Sequence, residues 1–133
     1  MKIIDIEGIG PAYAQKLAKA GIRTTNALLK KGASASGRSE IEAMTGIGHA
    51  LILEWVNLAD LFRIKGVGSQ YSDLLEEAGV DTVDELSRRV AQNLYVKMQQ
   101  VNQAGNLVNK MPTLSQIEDW IKQAKKLPKA VTY

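Results

Sequence analysis

The sequence predicts an all-α fold. No segment sustains the apolar–polar alternation with β-branched enrichment that marks a strand. Apolar residues recur at helical spacing instead, in runs that open at Pro or Thr and close at Gly. The third observation is an internal repeat. Ile6-Glu7-Gly8-Ile9-Gly10-Pro11-Ala12-Tyr13 returns 58 residues later as Ile64-Lys65-Gly66-Val67-Gly68-Ser69-Gln70-Tyr71.

The repeat sets the domain organisation. Leu17, Ala20, Gly21, Thr24 and Leu28 return as Leu75, Ala78, Gly79, Thr82 and Leu86 at the same offset. Ile52-Leu53-Glu54-Trp55-Val56 resembles Ile117-Glu118-Asp119-Trp120-Ile121 at an offset of 65, so the second copy carries a longer middle around residues 91–106. The chain divides into halves 1–63 and 64–133. No Pro/Ser-rich linker separates them, so one fused body is expected rather than two independent domains.

The expected helices are 11–20, 25–31, 37–44, 49–63, 69–78, 83–90, 92–104 and 114–126. Pro11 suits the first position of its helix, where its missing N–H costs nothing. Thr82-Val83-Asp84-Glu85 has the spacing of a capping box, and Thr113-Leu114-Ser115-Gln116 repeats that logic. Gly21, Gly32, Gly79 and Gly105 each follow a helical run and are expected as left-handed C-terminal caps. Helix 49–63 is apolar almost all round. Only Glu54, Asn57 and Asp60 interrupt it, as one narrow polar edge. Such a helix is a core helix or a self-association face.

Composition excludes several function classes. The 133 residues carry 17 Lys and Arg against 14 Asp and Glu, a net +3 that identifies no partner. Residues 1–63 hold 8 bases and 6 acids, and residues 64–133 hold 9 and 8. The tail after Asp119 is basic only, with Lys122, Lys125, Lys126 and Lys129; such a run can suit nucleic acid, but more often it is a solvated helix face. With no cysteine and only His49, there is no disulfide frame, no His/Cys metal cluster and no Cys–His dyad. No cofactor or metal is expected. No constellation joins a nucleophile, a base and an oxyanion site, so an enzyme is not expected either. No apolar run approaches the length of a membrane span. The N-terminus meets Asp5 at once and lacks a secretory apolar stretch, so a cytoplasmic location is the expectation.

The Gly-hydrophobic-Gly triplets carry the functional argument. Two glycines bracket one buried hydrophobe, and a helix then starts. The glycines permit a tight turn, Ile9 would plug the turn into the core, and the free amides at the new helix N-terminus offer an anion site. A Rossmann or P-loop reading fails, because the third glycine and the G-K-[ST] are missing and no strand precedes.

The flanking pattern Ile3, Ile6, Gly8-Ile9-Gly10, Ala14, Leu17 resembles the helix-hairpin-helix motif, a non-specific DNA-binding element of repair and recombination proteins. Leu61, Ile64, Gly66-Val67-Gly68, Ser72 and Leu75 fit it as well, and Ile41, Met44, Gly46-Ile47-Gly48 and Trp55 fit with Ile52 in place of the small residue. Met111-Pro112-Thr113-Leu114-Ser115 occupies the fourth slot without its glycines. The resemblance implies two fused tandem helix-hairpin-helix (SAM-like) units, the second partly degenerate, forming one compact body. In that superfamily paired hairpins grip both strands of a duplex across the minor groove. The whole chain also resembles an uncharacterised bacterial family with two such tandem units, notably at residues 52–67, the Trp120 helix and the Val131-Thr132-Tyr133 ending. No function follows from that likeness.

The resemblance implies sequence-independent nucleic-acid binding, to duplex DNA, through hairpin amides on phosphates. The candidate residues are Gly8, Ile9, Gly10, Ala12 and Lys16 in hairpin one, Gly46, Gly48 and His49 in hairpin two, and Gly66 and Gly68 in hairpin three. Lys2 and the loop 30–38, with Lys30, Lys31 and Arg38, could add phosphate contacts. The chain departs from DNA-binding hairpins in having few bases in the first turn after the second glycine. Asp73, Glu76 and Glu77 follow hairpin three, opposite a backbone with one charge per roughly 1.7 Å of duplex axis. Duller readings exist for the rest: Tyr13 and Tyr71 as packing residues, Trp55 and Trp120 as core, His49 as a surface or capping residue. The alternative function is a protein-interaction or homodimerising scaffold in which the hairpins are only structural.

Overall fold

Eight α-helices and one 3-10 turn carry residues Met1–Tyr133 of the computed structural model. After the turn Ile3–Asp5 come α1 Pro11–Lys19, α2 Thr25–Gly32, α3 Ala35–Thr45 and α4 His49–Leu61. Then follow α5 Ser69–Glu77, α6 Val83–Ser87, α7 Ala91–Gly105 and α8 Leu114–Lys126. There is no strand; one isolated bridge pairs Lys2 with Thr24. No helix is long and apolar enough to cross a membrane. Two compact units divide the chain: Met1–Asp60 with Ala130–Tyr133, and Leu61–Lys129.

In the first unit, Ile3, Ile6 and Ile9 form a buried ladder at a spacing of three. The amide of Ile6 donates to Ile3 O at 3.2 Å, and that of Ile9 to Ile6 O at 3.1 Å. α1 ends in a Schellman motif: Ile22 N donates to Leu17 O and Gly21 N to Ala18 O, with Gly21 left-handed. Thr24 and Ser34 cap α2 and α3 with their hydroxyls. α3 packs on both α1 and α2.

Three expectations are corrected in this unit. Gly32 is the last residue of α2, not a left-handed cap. Its missing side chain is required by packing, since a Cβ there would lie 2.5 Å from Val56 Cγ2. Arg38 is not a loop base open to phosphate. It is 2% exposed, and its guanidinium donates to Gly32 O (2.9 Å), Ala33 O (3.1 Å) and Thr132 O (2.7 Å). Its charge lies 5.8 Å from the Tyr133 ring centre. Thr132 N donates to Ala33 O, so the final residues are sewn to the end of α2. Asp60 does not lie on an exposed polar edge of α4: it is buried, whereas Glu54 is exposed and Asn57 half-buried. Ile52, Trp55, Val56, Leu58, Ala59 and Leu61 of α4 are all buried.

The second unit repeats the frame and enlarges it. Ile64 N donates to Leu61 O and Val67 N to Ile64 O, while Val80 N and Gly79 N rebuild the Schellman motif on Leu75 and Glu76. One apolar cluster runs from Leu61, Ile64 and Val67 through Leu74, Leu75 and Val83 to Met98, Ile117 and Trp120. α8 packs on α6 and α7, and α7 packs on α5. Thr113 and Gln116 make the full reciprocal capping box of α8. Thr82 caps Glu85 N, but the Glu85 carboxylate reaches one residue further back, to Asp81 N. α6 stops at Ser87, short of the expected 90. Gly105 closes α7 within the helix, and Asn106 takes the left-handed position instead, at φ 48°.

Candidate nucleic-acid interface

Each unit holds one Gly-hydrophobic-Gly turn of the same construction. The middle hydrophobe is buried: Ile9 in one, Val67 in the other. The first glycine is left-handed, Gly8 at φ +91° and Gly66 at φ +98°. The second is not. Gly10 and Gly68 are extended residues whose carbonyls accept the first helical bond, from Ala14 N and Ser72 N at 2.9 Å.

A tryptophan sits beneath each turn. A Cβ on Gly8 would lie 3.6 Å from Trp55 Nε1, and one on Gly66 would lie 3.0 Å from Trp120 Nε1. Tyr13 meets Trp55 edge-on at 5.1 Å, and Tyr71 meets Trp120 tilted at 5.4 Å. Both tryptophans are buried. The two tyrosines are therefore packing residues, as their repeat positions predict, and Tyr71 also donates its hydroxyl to Lys110 O.

The middle turn is built differently. Gly46 is left-handed, but it is the C-cap of α3, with its amide donating to Glu42 O. Thr45 Oγ1 accepts from Ile47 N, holding an amide that the other turns bond to backbone. Gly48 then opens α4, its carbonyl accepting from Ile52 N. His49 is exposed at the helix start.

The candidate residues thus fall into two groups. Ile9 is buried, so only its backbone borders the surface. Gly8, Gly10, Ala12 and Lys16 are exposed, as are Gly46, Gly48, His49 and Gly66; Gly68 is half-buried. A Cβ at Gly10, Gly48 or Gly68 would meet nothing within 4 Å. The amides of Gly8, Gly10, Ala12 and Tyr13 have no acceptor within the chain, and neither have those of Gly66, Gly68, Ser69 and Gln70. Lys16 Nζ stands 6.0 Å from the Tyr13 ring centre, one turn along α1.

Charge separates the turns. Around the first are Lys2, Lys16 and Lys19 against Asp5 and Glu7. Beside the third, Lys65 precedes a helix bearing Asp73, Glu76 and Glu77, of which only Glu77 is exposed. Gln123 of α8 clamps that turn: it accepts from Lys65 N at 2.8 Å and donates to Lys65 O at 3.1 Å. A concavity of about 370 Å³ lies there, lined by Gly66, Gly68, Ser69, Gln70 and Tyr71. Sequence reading missed the Gln123 clamp, because residues 58 positions apart on different elements carry no local signal.

No group of three His, Cys, Asp or Glu side chains is gathered as a metal site would need. Among curated proteins and among solved structures, no match to the chain is found. A family described only as a domain of unknown function matches residues 7–127, nearly the whole of both units, and the chain therefore belongs to the DUF4332 family.

Proposed function

We propose that the chain binds nucleic acid, duplex DNA in the first instance, without reading its sequence. In this reading the Gly-hydrophobic-Gly turns are helix-hairpin-helix elements. Amides of Gly8, Gly10 and Ala12, with Lys16, contact backbone phosphates, and the Gly46–His49 turn adds a second contact. Hairpin three, clamped by Gln123 and flanked by carboxylates, serves the fold more than the ligand.

One observation carries the reading. Glycine at positions 10, 48 and 68 is not required by the protein itself. None of the three has a positive φ, and none has a neighbour that a Cβ would touch. α2, α3, α6 and α8 are capped by Thr or Ser hydroxyls, whereas Gly10 and Gly68 provide no side-chain cap for α1 and α5. A Ser, Thr or Asp there would bring roughly a few tenths of a kcal/mol of capping over glycine. A bare backbone forgoes that, and leaves room for an anion to reach the amides at the positive end of the helix. Contacts of this kind position a protein on phosphate and carry no sequence information.

The test is fluorescence anisotropy of a labelled mixed-sequence duplex at about 50 and 200 mM salt. Binding that weakens steeply with salt supports the reading. Gly10→Asp is the sharp variant. The new carboxylate would cap α1 and leave the fold as stable or slightly more so, yet occupy the phosphate position with like charge, and duplex binding should be lost. Wild-type protein that fails to bind at the lower salt, or Gly10→Asp protein that binds as well as wild type, would overturn the reading. The first of those results favours the scaffold alternative. That alternative has lost one support, since the apolar face of α4 is already buried within the chain.

A further inference from the structure

The repeat places a pair of bases at the end of the same helix in each unit: Lys30-Lys31 after α2's apolar face, Arg88-Arg89 just past α6. Their surroundings differ. In the first unit, Lys31 bonds Glu40, and the next helix begins at a Ser34 cap. In the second unit, a cavity of about 280 Å³ opens beside the arginines, lined by Ala78, Arg88, Arg89, Asn93, Leu94 and Lys97, with Val90 at its edge. A second hollow shares Arg88 and Arg89 and borders Glu85.

The geometry points to a phosphate-binding site in this α6–α7 cleft, holding a phosphate group of a nucleic-acid strand. The inference rests on the nucleic-acid reading for its ligand, but not on the hairpins for its chemistry. Three cations, Arg88, Arg89 and Lys97, line the two hollows against two carboxylates, Glu85 in the lining and Asp84 paired to Arg88. Arg88 is held by Asp84 (3.1 Å), and Arg89 by Gly79 O (2.8 Å) and more loosely by Glu85 (3.9 Å). These bonds leave further N–H groups on both guanidiniums for an acceptor, in the forked geometry that suits phosphate. The ion pairs lie at the surface, where such pairs are weak enough for a phosphate to compete. Lys97, one helical turn beyond Asn93, makes no bond within the chain and supplies a free charge at the cavity wall. The amides of Ala91, Gln92 and Asn93 have no acceptor and no side-chain cap, so they add to the same field. The second unit would thus reach phosphate through this cleft, whose lining shares no residue with the concavity at its hairpin.

The experiment uses the full chain with inorganic pyrophosphate as probe, followed by amide NMR. Millimolar pyrophosphate should shift the amides of residues 88–97, and Lys97→Glu should abolish those shifts. Lys97 bonds nothing, so this variant retains the fold; Arg88→Gln, which gives up only a surface pair, should weaken them. No shifts in 88–97, or shifts that survive Lys97→Glu, overturn the site. With labelled duplex, Lys97→Glu should weaken binding several-fold and make the slope of log K against log salt shallower by about 0.9, one phosphate contact. A duplex that binds Lys97→Glu with wild-type affinity and slope, but not Gly10→Asp, overturns the cleft and leaves the hairpins standing. Pyrophosphate shifts at 88–97 in a protein that binds no duplex show an oxyanion cleft and overturn nucleic acid as its ligand, together with the hairpin reading.

Discussion

The turn at Gly8–Gly10 and the turn at Gly66–Gly68 share a backbone and differ in what surrounds it. Both have the buried ladder, the left-handed first glycine, the tryptophan beneath and the tyrosine beside it. The second leaves less room, since a Cβ on its first glycine would lie 3.0 Å from the tryptophan nitrogen against 3.6 Å in the first, and it is clamped by Gln123, whereas Glu7, the counterpart of Lys65, has no such partner. The difference teaches that one scaffold can be kept while the residue before its first glycine is left open in one copy and tied down in the other. A fold of this kind does not by itself fix a function.

The largest effect should come from the first glycines. Gly66→Ala forces an L side chain to φ +98° and against Trp120, and should cost about 2–4 kcal/mol. Gly8→Ala meets the same backbone strain with more room, and should cost about 1–2 kcal/mol. Native-state hydrogen exchange reads each unit by itself. Equal costs would show that the closer approach of Trp120 has no energetic meaning.

The skeleton of this comparison was legible in the sequence because it is local. Helix positions followed from apolar spacing and from Pro11, Thr82 and Thr113. The paired roles of Trp55 and Trp120 followed from the repeat. What escaped depends on contacts between distant residues. Nothing local tells Arg38 apart from an exposed base; its burial follows from carbonyls at 32, 33 and 132 converging on it. Gly32 reads as a cap until Val56 is seen against it. The candidate site was legible as glycines, but the distinction between glycines that the backbone needs (8, 46, 66) and those it does not (10, 48, 68) is a matter of φ and neighbouring space.

Gln123→Ala should have a smaller effect, because it removes two bonds from an exposed turn without opening the core. About 1 kcal/mol is expected, felt as roughly fivefold faster exchange at the Lys65 amide, with little change at Trp120. The turn would then resemble its counterpart at Gly8. Unchanged protection at Lys65 would mean that the clamp does not distinguish the two turns, and the comparison would rest on the tryptophan distance alone.

The smallest effect concerns the two dibasic ends. Lys31 donates to Glu40, and that hydrogen bond, with the charge behind it, lowers the Glu40 pKa below the ordinary carboxylate value. The folded pKa therefore lies below the unfolded one. The pair contributes stability that is fully present above the unfolded pKa and fades as pH falls through the folded pKa. Glu40→Gln should be slightly less stable than wild type near neutral pH, and the two unfolding curves should converge in acid. Both partners are exposed, so added salt should shrink the gap as well. In the second unit the corresponding arginines bond back within one helical turn, to Asp84 and Glu85. Asp84→Asn should therefore leave α7 unaffected, whereas Glu40→Gln should loosen α3 against α2. A gap for Glu40→Gln that persists at acid pH would show that Glu40 acts through packing, and the two dibasic ends would then differ in more than where their partners lie.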